Sequence, residues 1–60
     1  MNVNDFRKEK GLSIDEFAKA LGYSISSITK FIYGEREPSK TFFKRVKKAF
    51  PDTDINIFFE

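Results

Sequence analysis

Three residues, Gly22-Tyr23-Ser24, separate two stretches of helical pattern, and this short join constrains the fold more than any other feature of the chain. Upstream, Ser13 is placed to cap a helix, and Glu16, three residues on, can return its carboxylate to the cap as the other half of a capping box. Leu12 and Phe17 flank the cap at the spacing of a hydrophobic staple. This helix, Ser13 to Leu21, stops at Gly22, which enters the left-handed conformation without steric cost. Downstream the same grammar repeats: Ser24 is a cap, Ile28 is spaced to staple back onto Tyr23, and the helix runs to about Tyr33 before Gly34. A three-residue join cannot fold two helices into a long antiparallel hairpin, so they must cross steeply.

Glycines at 11, 22 and 34 and prolines at 38 and 51 cut the rest of the chain into further helical lengths. Val3 to Lys10 places Val3, Phe6 and the Lys10 stem on one face, with Asn2 as cap and Gly11 as terminator. Pro38 excludes the α conformation at Glu37, and Ser39 caps a fourth helix. On it Phe42, Phe43, Val46, Ala49 and Phe50 form an apolar stripe of helical period, closed by Pro51. The tail, Asp52 to Glu60, offers caps at Asp52, Thr53 or Asp54 ahead of Ile55, Ile57, Phe58 and Phe59. It predicts a short final helical turn, since a lone strand would have no partner. The chain reads as all-α.

Composition narrows the function. Sixty residues suffice for one small domain, spanning 1–60, that buries only about 60% of its unfolded surface. With 40% hydrophobic residues and eight phenylalanines it has the apolar volume to fold. Cysteine and histidine are absent, which removes disulfides, thiolate zinc sites and imidazole acid–base chemistry. The carboxylates sit at helix starts and in loops with no metal-ligand cluster beside them, so no enzyme, cofactor or small-molecule substrate is expected. No apolar run approaches a membrane span and the N-terminal MNVNDFRKEK is unlike a secretory signal, which points to a cytoplasmic protein.

From Leu12 to Ser39 the segment LSIDEFAKALGYSISSITKFIYGEREPS resembles the Xre/Cro-type helix-turn-helix domain of phage repressors and related bacterial regulators. Ala18 matches the small residue that lets the third helix approach, Gly22 the turn glycine, Ile28 and Phe31 the buried pair, and Gly34 with Pro38 the exit loop. FPDTDINIFFE looks like the short fifth helix of that fold, with Phe58 as core anchor. The resemblance implies a compact five-helix, lambda-repressor-like domain whose helices two and three form the helix-turn-helix. It also implies a nucleoid-associated or phage-encoded regulator, and without a further ligand or cleavage domain a Cro-like repressor fits best. Two positions depart from the family pattern. A glutamine used on the DNA backbone is Ile14 here, and the acid that pairs with a helix-one arginine is Ile32, which frees Arg7 for phosphate or another carboxylate.

Ile25, Ser26, Thr29, Lys30 and Tyr33 fall on the side of the third helix away from Ile28 and Phe31. Lys30 can donate to guanine O6/N7, Ser26 and Thr29 can donate or accept, and Ile25 can pack on a thymine methyl or else against the second helix or a neighbouring chain. Ser13, Ser24 and Ser39 sit at helix N-termini, where unpaired amides favour phosphate. Tyr33, Arg36 and Lys40 are further candidates for the DNA backbone, opposed by Glu35 and Glu37 unless these pair with Arg36 or turn outward. Lys44, Arg45, Lys47 and Lys48 read as a solvated face, with only Lys44 well placed to help. Binding would be to a double-stranded operator as a two-fold dimer, with Ile57 and Phe59 as candidate homodimer contacts. The competing reading, favoured by a net charge of only +2, is a protein-interaction module on the same fold, an antitoxin or antirepressor.

Overall fold

Each α-helix begins where a short polar side chain can take up a free amide. The side chain of Asn2 accepts from the Asp5 amide at 2.8 Å, Ser13 from Glu16 at 3.1 Å, Ser24 from Ser27 at 3.1 Å and Ser39 from Phe42 at 3.4 Å. The computed structural model, which describes residues 1–59, accordingly places α1 at Val3–Glu9, α2 at Ile14–Leu21, α3 at Ile25–Ile32 and α4 at Lys40–Ala49. Glu60, included in the tail assigned from sequence, lies outside the described residues. No strand occurs among the described residues.

The tail makes the short final helical turn expected of it, but not a fifth α-helix. Ile55–Phe59 forms a 3₁₀ segment, begun by the Asp54 carboxylate accepting the Asn56 amide at 3.0 Å. A segment of five residues holds one or two tight turns, and short helical pieces commonly adopt the 3₁₀ form. Among the described residues the architecture is therefore four α-helices and a 3₁₀ turn.

These elements enclose one core. Phe6, Phe17, Ile28, Phe42 and Val46 are fully buried, joined by Val3, Ala18, Leu21, Phe31 and Ile32. Phe42 of α4 is its hub: its ring centroid lies 4.7 Å from Phe31, 6.1 Å from Tyr23 and 6.5 Å from Phe58. Phe58 also reaches Phe6 at 5.3 Å, so it anchors the 3₁₀ turn while remaining half-buried. Helix α3 packs on α1 and α2, and α4 packs on α2.

Ile32 joins this core, which explains why an acid is not needed there. Arg7 is not left free by that change. Its guanidinium donates to Asn4 Oδ1 at 2.9 and 3.2 Å and to the Leu12 carbonyl at 2.7 Å. The expectation of a free arginine is corrected by these local bonds, which spend the charge on the α1–α2 connection.

Candidate nucleic-acid interface

Helix α3 is held by Ile28, Phe31 and Ile32, and this fixes what it turns outward. Ser26 and Lys30 are exposed and Ile25 is 51% exposed, so half of that aliphatic side chain is open to solvent rather than packed within the chain. Thr29 lies on the same side but is half-buried, and its hydroxyl donates to the Ser26 carbonyl at 2.9 Å. Its proton is thus spent within the helix, leaving lone pairs to accept. Ser24 accepts the Ser27 amide and donates to the Ser27 hydroxyl at 3.0 Å, so it is engaged as a cap. Tyr33, the C-cap residue, is 68% exposed.

The exit loop is tied back to α3. Amides of Glu35 and Arg36 donate to the Lys30 carbonyl at 2.9 and 3.2 Å. The Arg36 guanidinium lies 5.3 Å over the Phe31 ring, a cation–π arrangement that orients the side chain while leaving the residue exposed. Glu35 and Glu37 are exposed, and neither forms an ion pair among the described residues, where the one pair is Lys19–Asp15 at 3.1 Å. Of the two arrangements foreseen for these carboxylates, pairing with Arg36 is therefore absent. Ser39 and Lys40, at the start of α4, are both exposed.

At α2 both halves of the capping box are present: the Ser13 amide donates to Glu16 Oε1 at 2.9 Å and the Glu16 amide to Ser13 Oγ at 3.1 Å. The bond from the Ser13 backbone, reinforced by its hydroxyl, holds the Glu16 carboxyl below its ordinary pKa. Ser13 thus spends its amide on the helix itself. Ile14, in the departed position, is half-buried against the core.

The family model described as helix-turn-helix matches residues 3–58, nearly the whole chain. The chain belongs to the Xre/Cro-type helix-turn-helix family. It is a DNA-binding transcription regulator by that membership, in a regulatory family that is generally non-enzymatic, with double-stranded DNA as its partner. Comparisons with curated proteins and with solved structures find no match. No helix among the described residues is long and apolar enough to cross a membrane, and no group of three acidic, histidine or cysteine residues there is arranged to hold a metal.

One arginine of this domain lies elsewhere than its place in the sequence suggests. Arg45 of α4 does not belong to a solvated basic face: it is half-buried, and Nη1 donates to the Gly22 carbonyl at 2.8 Å and the Leu21 carbonyl at 3.2 Å. Its guanidinium carbon stands 4.5 Å over the Tyr23 ring. Lys47, although exposed, is also engaged, donating to the Thr53 carbonyl at 2.9 Å. The only local hint was that Arg45 borders the stripe of Phe42, Val46 and Ala49.

Proposed function

We propose that this helix-turn-helix domain is a sequence-specific regulator, a Cro-like repressor, with α3 lying in the major groove of double-stranded DNA. The observation that carries the reading is the outward face of α3, where an exposed isoleucine, Ile25, stands beside the exposed Ser26 and Lys30. An aliphatic side chain offered to water gains nothing from folding, whereas a thymine methyl would cover it. Ile25, Ser26, Thr29 and Lys30 would contact bases, with Thr29 acting as acceptor. Tyr33, Arg36, Lys40 and the amides near Ser24 and Ser39 would meet phosphate. Ser13 contributes least, because its amide already serves Glu16.

The domain would act as a homodimer on a pseudo-palindromic site. Phe59 is the candidate contact, since it is 70% exposed although its ring lies 5.3 Å from that of Phe43. Ile57 is half-buried against the core and its carbonyl accepts from the Met1 ammonium at 2.9 Å, which leaves it less to offer.

Selection from a randomised 20-base-pair duplex pool, followed by fluorescence anisotropy on the enriched duplex at several salt concentrations, tests this reading. The expected result is enrichment, with affinity falling at a log–log slope of about −0.9 per phosphate contact. Absence of enrichment would contradict it. The exposed, unpaired Glu35 and Glu37 beside α3 favour one alternative, an antitoxin or antirepressor that binds protein, and salt-independent or undetectable DNA binding would support that.

A further inference from the structure

The carbonyl ends of α2 raise an accounting question, because the last four carbonyls of any helix lack partners within it. The Gly22 and Tyr23 amides take the carbonyls of Ala18 and Lys19, in the left-handed turn made by Gly22 at φ 74°. Leu21 and Gly22 then present their own carbonyls with no amide to receive them. Arg45 fills that place from α4, twenty-three residues away from Gly22. The same guanidinium covers the Tyr23 ring, which in turn lies tilted at 5.4 Å from Phe31 of α3 and stacked at 6.1 Å from Phe42 of α4. A Cβ on Gly22 would stand 3.2 Å from Arg45 Nη1, so the turn and the arginine are in close contact.

We infer that Arg45 is the positioning residue of the recognition helix: by clamping Leu21, Gly22 and Tyr23 it fixes the turn, and through Tyr23 and Phe31 it fixes the orientation in which α3 presents its outer face. This rests on the proposed role of α3. Arg45 itself does not touch DNA. Two bonds from Nη1 and a cation–π contact at 4.5 Å on an aromatic ring hold the turn in one geometry, which a lysine point charge cannot reproduce. The turn is the sole covalent link between α2 and α3, so a loosened turn lets α3 swing relative to the rest of the domain.

Two measurements on Arg45→Met test this, with Arg45→Lys as a milder variant should Arg45→Met fold poorly and the exposed Lys48→Met as control. Amide hydrogen exchange by NMR, without DNA, reads the turn directly. The expected result is exchange about tenfold faster at Gly22, Tyr23 and the first turn of α3, a change beyond that seen in α1, with Arg45→Lys between wild type and Arg45→Met. Unchanged turn amides, or an equal acceleration in all helices, would overturn the inference. The second measurement uses the duplex enriched by the wild-type protein and a scrambled duplex of the same composition. Arg45→Met should weaken the enriched duplex about tenfold and the scrambled duplex less than about twofold, at an unchanged salt slope. A slope reduced by about one would show a phosphate contact and overturn the positioning role. If the wild type enriches no duplex, the proposed function of α3 falls, while the exchange data still decide what Arg45 does.

Discussion

The cations of α4 and the outer face of α3 make an instructive contrast. By charge alone α4 is the DNA-binding element, with Lys44, Arg45, Lys47 and Lys48 within five residues, while the outer face of α3 carries only Lys30. The structure reverses the emphasis. Arg45 and Lys47 spend donors on the carbonyls of Gly22, Leu21 and Thr53, whereas Ile25, Ser26 and Lys30 are exposed, and among the described residues the Ser26 hydroxyl and the Lys30 ammonium have no partner. Charge counts speak to steering and non-specific attraction. Which groups can read a surface depends on the donors and acceptors left unspent once the chain has folded.

The contrast can be broken at its foundation by Phe42→Ala, the largest effect expected. Phe42 joins α4 to Phe31 and Tyr23 and is fully buried, so its loss should cost about 3–5 kcal/mol. In a domain this small that is most of the stability, and circular dichroism should show a largely unfolded chain at 25 °C. Next comes Gly22→Ala, which forces a left-handed φ on alanine and crowds Arg45. A loss of about 1–2 kcal/mol by urea denaturation is expected, with the transition remaining cooperative.

Within α4 the contrast is sharpened by a pair of single changes. Lys44→Ala should lower the salt slope of DNA binding by about one, as removal of a phosphate contact does, while Lys47→Ala should leave the slope alone and cost about 1 kcal/mol of stability. Equal slopes for both would erase the distinction between free and engaged cations. The smallest effect concerns pH. Because Glu16 has a lowered pKa when folded, its contribution to stability is fully present above the ordinary carboxylate range and is lost as pH falls through the lowered value. The melting-temperature gap between wild type and Glu16→Gln should therefore be constant near neutrality and shrink in acid.

The legible parts of this molecule were those written at short spacing. Ser13 with Glu16, Ser24 ahead of Ile28, Gly22 after Leu21 and the Phe42-Val46-Ala49 stripe are local patterns, and each fixes a helix end or a buried face by itself. The outward placement of Ile25, Ser26 and Lys30 follows from the same periodicity once Ile28 and Phe31 are assigned to the core. What could not be read depends on distant partners or on small energy differences. Arg45 finds Gly22 only after α4 has packed on α2, and Arg36 finds its ring only after the exit loop has closed on Lys30. The choice between 3₁₀ and α at Ile55–Phe59 turns on one or two hydrogen bonds. The bonds of Arg7 to Asn4, by contrast, were within local reach, and the family pattern drew attention to Ile32 instead.

The central claim is that the lightly charged outer face of α3 selects DNA sequence. It is tested most directly by the ratio of affinities for the enriched and the scrambled duplex, measured for wild type and for the Ser26→Ala, Lys30→Ala double variant by anisotropy at fixed salt. The expected result is a ratio that falls by about tenfold or more in the double variant, since each good base contact carries about 1–3 kcal/mol of discrimination, while both proteins remain folded. A double variant that keeps the wild-type ratio would contradict the claim.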